Sequence, residues 1–166
     1  TPLLHDLLAG SVDVVVGRVG GRALQLPLNY QVLYTEPVCF VARPDHPLAK
    51  YPLLTWHDLA NWRWIVWPTG TPIRISIDNA LVDNGVMLPE NIIESASINV
   101  STNLLQSSDM ISILSLRLAQ RYAAQGQLAI LNLPKIEQKG SVGVFWRNNE
   151  TPTTALNRFL YYLAQA

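Results

Sequence analysis

Thr69-Gly70-Thr71 follows an apolar run rich in tryptophan and precedes Pro72. Thr71 is placed to cap a helix, with Pro72 at the first helical position, where a missing N–H does no harm. The free amides of such a turn suit an anionic or polar ligand. Ser97, with Asn99 two residues on, is a second helix opening of the same kind. Arg18 follows residues 12–16, valines interrupted only by Asp13, at the carboxyl end of an expected strand, where open α/β sheets place ligands. Amides from two helix ends and one guanidinium would hold a carboxylate or a hydroxylated acid. The competing readings are a surface arginine paired elsewhere for Arg18, and plain N-capping for Thr71.

Nothing nominates a catalyst, a metal site or a cofactor. His5, His46 and His57 are scattered, with no His or Cys at metal-ligand spacing, so His46 and His57 are expected to be solvated or capping. There is no G-x-S-x-G elbow, no Walker loop and no G-x-G-x-x-G, and the glycines around Arg18 match no phosphate-binding spacing. The acidic residues are dispersed, so no carboxylate pair is available for acid–base work. Cys39 is alone inside an apolar run; a buried, inert thiol is expected, and no disulfide can form within the chain, which fits a reducing compartment. Trp56, Trp62, Trp64 and Trp67 could stack on a sugar, but the alternation around them reads as core packing.

The elements that must hold these residues alternate. A helix carrying Leu3, Leu4, Leu7 and Leu8 closes at Gly10, and a strand spans 12–16. Residues 19–31, with three glycines and a proline, read as a surface loop. Val38 to Ala42 is an unbroken apolar run, as in a strand buried on both faces, and Pro44 and Pro47 force a turn after it. Thr55 and Asp58 form a capping box for a short helix ending near Ala60, and Trp64 to Trp67 is the next strand. The helix opened by Thr71 has Ile73, Ile77, Ala80 and Leu81 on one face and an Arg74–Asp78 pair on its side. A strand at 92–94 precedes the Ser97 helix, a buried strand at 110–114 precedes a helix capped by Ser115, and strands follow at 128–133 and 142–146. Thr151-Pro152 opens a last helix with Leu156, Phe159, Leu160 and Leu163 on one stripe. Such alternation predicts an α/β fold with largely parallel sheets.

Apolar residues are 49% and charged ones 14% of the 166, which makes the chain globular. Twelve basic and twelve acidic residues cancel, leaving no electrostatic footprint for a nucleic-acid backbone. No apolar segment approaches the ~20 residues of a membrane span.

The order L-Y-x-E-P-x-x-F-V-x-R-x-x-H-P-L from Leu33 to Leu48, then Asp58-Leu59, then a tryptophan strand ending in P-x-G-T-P-x-R at Pro68 to Arg74, resembles the effector-binding domain of LysR-type transcriptional regulators. Within that family it looks most like the sugar- and aromatic-acid-responsive members, the galactose-binding-protein-regulator-like group. A pattern L-x-x-G-x-x-D falls on Leu7, Gly10 and Asp13, where Asp13 is expected to be a structural carboxylate capping nearby amides. In many relatives a proline follows the strand that here spans 110–114; Ser115 stands in its place, which puts in doubt any ligand contact assigned from that proline.

The resemblance implies a two-lobed type 2 periplasmic-binding-protein-like fold with a ligand cleft between lobes. Lobe I would comprise residues 1–43 and 145–166, lacking the family's first β-α-β, and lobe II residues 44–144. It implies a cytoplasmic sensor of a small effector, an organic acid or sugar-like molecule, with Arg18, Thr69, Gly70, Thr71, Ser97 and Asn99 as ligand contacts. Its partners would be a second copy, as homodimer or tetramer, and DNA only through an N-terminal domain outside this chain, with no membrane. The helix from Leu116 to Gln125 would carry the dimer contacts Leu118 and Tyr122, an i, i+4 pair. Two other functions stay open: a solute-binding protein of an uptake system, and an enzyme on the same fold.

Overall fold

A computed structural model of the protein describes residues 2–133, 140–148 and 152–164. The chain opens with α1 (Pro2–Ala9), β1 (Val15–Val19) and β2 (Leu28–Thr35). Then come β3 (Val38–Ala42), α2 (Trp56–Ala60), β4 (Trp64–Val66), α3 (Pro72–Asp83) and β5 (Ile92–Glu94). They are followed by α4 (Ile98–Gln106), β6 (Ile111–Ser115), α5 (Leu116–Ala124), β7 (Ala129–Ile130), β8 (Ser141–Arg147) and α6 (Thr154–Leu163).

Two units result, residues 1–35 with 140–166, and residues 36–139. The divisions differ from the expected 43/44 and 144/145, and strand pairing gives the reason. All of β3 pairs with β6 and β7 in a five-stranded sheet of order β5-β4-β6-β3-β7. All of β8 lies between β1 and β2 in a three-stranded sheet.

The larger sheet is buried on both faces, which is why its strands read as continuous apolar runs. Phe40, Trp64, Val66, Ile111 and Ile113 point to one side and pack with Ile73, Ile77, Ala80 and Leu81 of α3. Val41, Ile65 and Leu114 point to the other, against Leu105 of α4 and Ala119 of α5. Phe40 meets Trp64 and Trp56 edge-on, with centroids 5.0 and 5.5 Å apart. The indole N–H of Trp64 donates to the Leu59 carbonyl at 3.0 Å and that of Trp67 to Ile113 at 2.9 Å. These rings are core, as expected, and each buried aromatic contributes on the order of 2 kcal/mol through area removed from water.

The expectation of largely parallel sheets is overturned. Among the described residues only β4 with β5 and β4 with β6 pair in parallel; β3 pairs antiparallel with β6 and β7, and both β8 pairings are antiparallel. β3 runs opposite to both β6 and β7, so those two strands point the same way and are joined by α5 as a βαβ unit with β3 inserted between them. The expected loop at 19–31 is also corrected: it holds a 3-10 turn at Gly21–Gln25 and the start of β2. The alternation Leu28, Tyr30, Val32 against Asn29 and Gln31 was a strand signal that the neighbouring glycines obscured. The first strand runs from Val15 to Val19 rather than 12–16, and the strand expected at 128–133 is the two-residue β7. The Thr151 cap lies outside the described residues, and α6 is capped by Thr153, whose hydroxyl oxygen accepts from the Leu156 amide at 3.2 Å.

Candidate ligand site at the carboxyl ends of parallel strands

β5, β4 and β6 run side by side in one direction, so their carboxyl ends share one edge of the larger sheet. Each strand feeds a helix there: β4 leads to α3, β5 to α4 and β6 to α5, with caps at Thr71, Ser97 and Ser115. Three helix N-termini therefore gather at one edge, each with the positive end of its dipole and some unpaired amides. Thr69, Gly70, Thr71, Ser97 and Asn99 are brought to this edge together.

Gly70 has φ +82°, which lets the chain turn from β4 into α3 without a Cβ penalty. Thr71 takes the N-cap position with Pro72 behind it, yet its hydroxyl does not cap; it donates to the Pro68 carbonyl at 2.8 Å. Ser97 does cap, accepting from the Val100 amide at 3.4 Å, and its own amide donates to Ser95 Oγ at 3.1 Å. Asn99 is exposed on the first turn of α4.

Two charged residues of this edge were not among the expected contacts. Glu94, the last residue of β5, accepts from the Thr69 hydroxyl at 3.0 Å and from Arg74 Nη1 at 2.8 Å. Arg74 also donates from Nε to Asp78 at 2.8 Å and to the Trp67 carbonyl at 3.3 Å. The Arg74–Asp78 pair was legible as an i, i+4 spacing. Glu94 had only the signal of an acid closing an apolar strand. The Arg74 guanidinium, with the Thr69 hydroxyl, holds the Glu94 carboxyl below the usual carboxylate range.

Arg18 belongs to the other unit and lies inside β1, opposite Val142 of β8, not beyond the end of a strand. Among the described residues Asp13 meets Arg147 rather than capping amides, and Arg147 ties β8 to the Leu7 and Val12 carbonyls at 3.0 and 2.8 Å. Leu118 and Tyr122 are partly buried against the core cluster of Leu105, Leu114 and Ala119. His46 is buried and caps a 3-10 turn, so its capping role is as expected and its solvation is not. Burial pushes the Cys39 thiol up to about 12, as an inert thiol requires.

A family model described as the LysR substrate binding domain matches residues 1–166. The chain belongs to the LysR substrate-binding domain family. Among relatives of this LysR domain, the HTH-type transcriptional regulator GbpR of Azospirillum brasilense is 30% identical over 145 residues, 87% of this chain and 42% of the regulator. The HTH-type transcriptional regulator PcaQ of Agrobacterium fabrum is 29% identical over 164 residues, 99% of this chain and 53% of the regulator. The chain thus spans about half the length of the curated relatives it matches.

The fold is likewise that of LysR regulatory domains, the two-unit periplasmic-binding-protein-like α/β fold. The Synechocystis PCC6803 CcmR regulatory domain in complex with 2-PG matches with a TM-score of 0.85 at 22% identity, covering 99% of this chain and 77% of its own. The effector-binding domain of QuiR in complex with shikimate matches with a TM-score of 0.84 at 16% identity, covering 99% and 76%. No described helix is long and apolar enough to cross a membrane.

Proposed function

We propose that this chain is the ligand-sensing part of a cytoplasmic LysR-type transcriptional regulator. A small effector bound at the strand-end edge of residues 36–139 alters the geometry of an oligomer held on DNA by an N-terminal domain outside this chain. The family match across residues 1–166 carries this reading. The matched relatives are transcriptional regulators, which favours sensing over solute uptake. Unpaired amides and hydroxyl oxygens at this edge fit the binding of a polar ligand. The ligand class is a small organic acid or sugar-like molecule, in keeping with the structural neighbours solved with 2-PG and with shikimate. Arg18 on the other unit is a second candidate contact. The functional unit is a homodimer, or a tetramer built from it, in which α5 presents Leu118 and Tyr122.

A thermal-shift screen of the full-length protein with acids, sugars and apolar or cationic controls tests the reading. A ligand at 100 times its dissociation constant stabilises the folded state by about 2.7 kcal/mol. Hits confined to apolar or cationic compounds would overturn the ligand class. Arg18→Ala should weaken an acid by about 1.5–3 kcal/mol if the guanidinium contacts it, and unchanged affinity removes Arg18 from the site.

A further inference from the structure

We infer that Glu94 makes the strand-end site selective for hydroxyl groups: its carboxylate and the two threonine oxygens beside it accept hydrogen bonds from a polyhydroxylated ligand and keep an anionic group away from Thr69. This rests on the ligand-sensing reading above and specifies which chemistry that site takes.

The inference follows from where the protons already are. The Thr69 hydroxyl donates to Glu94 Oε1, so its oxygen has only lone pairs left for a ligand. The Thr71 hydroxyl donates to the Pro68 carbonyl, with the same result. Glu94 Oε1 is used by Thr69 and Arg74, and Oε2 has no partner among the described residues, while 42% of the side chain is exposed. Three side-chain oxygens, two on the turn after β4 and one at the end of β5, are therefore acceptors in search of donors. A sugar or polyol supplies O–H groups for all of them, and the bond to Glu94 would be charge-assisted.

Arg74 does not reverse this preference. Its side chain is only 11% exposed, and its guanidinium is bonded to Asp78, Glu94 and the Trp67 carbonyl. Two carboxylates against one guanidinium leave the cluster with a negative charge in excess. An ionised acid placed beside Thr69 would meet like charge and acceptor oxygens, with no proton to offer. If the ligand carries a carboxylate, that group belongs at the backbone amides and its hydroxyls face Glu94.

Matched probes separate the two chemistries in the unmodified full-length protein. Quinate is compared with cyclohexanecarboxylate, gluconate with hexanoate, and galactose and myo-inositol are tested as neutral polyols. The expected result is thermal stabilisation by hydroxylated probes alone. In Glu94→Gln, which keeps the shape and removes the charge, the affinity of a hydroxylated probe should fall about tenfold or more, and the discrimination against its deoxy analogue should shrink. Equal stabilisation by a deoxy acid and its hydroxylated partner, or no response to any hydroxylated probe, overturns the inference without recourse to a variant. Thr69→Val and Ser97→Ala locate the site independently. If they weaken binding while Glu94→Gln leaves both affinity and discrimination unchanged, the site stands and its selectivity does not come from Glu94. If none of the three variants affects a probe that binds, the placement of the site fails as well.

Discussion

His46 Nε2 lies 3.2 Å from the carbonyl oxygen of Asp109, at the turn between α4 and β6, and links that turn to the one after β3. The Leu48 amide donates to Nδ1 at 3.1 Å, so the proton sits on Nε2 and the ring is neutral. The imidazole is 0% exposed, with its centroid 4.4 Å from that of Trp62. Arg43 reinforces the same link through the Asp109 carboxylate, at 2.8 and 3.0 Å, and also pairs with Asp45.

A pH dependence of stability follows from that ring. Desolvation holds the His46 pKa below its ordinary value of 6.5, and Arg43 adds to this, while Asp109 and Asp45 oppose it. The unfolded state therefore takes up a proton before the folded state does. The His46 contribution is complete above about pH 6.5 and is lost as pH falls from there towards the lower folded value. His46→Asn retains a capping oxygen for the Leu48 amide and cannot titrate. Its melting temperature should stay flat over the acid side of neutrality where that of the wild type falls. Parallel curves for the two proteins would remove His46 as the cause.

The smaller sheet makes a contrasting prediction at a glycine pair. Gly17 and Gly143 face each other across β1 and β8, yet only Gly143 is crowded. A Cβ there would stand 2.6 Å from Val19 Cγ2 and 2.7 Å from the Gln31 carbonyl oxygen, whereas one at Gly17 meets nothing within 4 Å. Backbone on β2 cannot yield as a side-chain tip can, so Gly143→Ala should cost about 1–3 kcal/mol. Gly17→Ala should fall within about 0.5 kcal/mol of wild type. Denaturant titration of both variants checks the difference, and equal losses would contradict the register of β8.

The α5 surface tests the proposed dimer. Leu118 and Tyr122 are half-buried against the Leu105–Leu114 cluster, so part of each remains available to a partner. A two-fold interface uses each contact twice, and Leu118→Asp should give a folded monomer by light scattering with retained far-ultraviolet circular dichroism. A folded dimer would place the interface elsewhere. Loss of fold would show that Leu118 serves the core, and Arg121→Glu, on the exposed side of the same helix, then becomes the probe of the interface.

What the sequence determined by itself was local. Val38 to Ala42 and Trp64 to Trp67 read as buried strands because their residues are apolar; β3 spans Val38–Ala42 and β4 Trp64–Val66, one residue short of Trp67. Asp58 bonds the Thr55 amide and hydroxyl, both at 2.7 Å, as the spacing of three promised. Ile73, Ile77, Ala80 and Leu81 form the buried face of α3 for the same reason, since a period of 3.6 is written in the chain.

Tertiary structure decided the rest, because strand direction and hydrogen-bond partners are set by residues far apart in sequence. Nothing near Val38 announces that β3 runs antiparallel to β6, so the mixed direction of the larger sheet is set by partners far away in sequence. The capping role of His46 was legible, but its burial depends on Trp62 and on Asp109, 63 residues away. Thr69 was legible as a turn residue beside a helix N-terminus. That its proton is already given to Glu94, 25 residues on, follows only from β4 and β5 lying side by side, and it leaves the turn's hydroxyl oxygen as an acceptor.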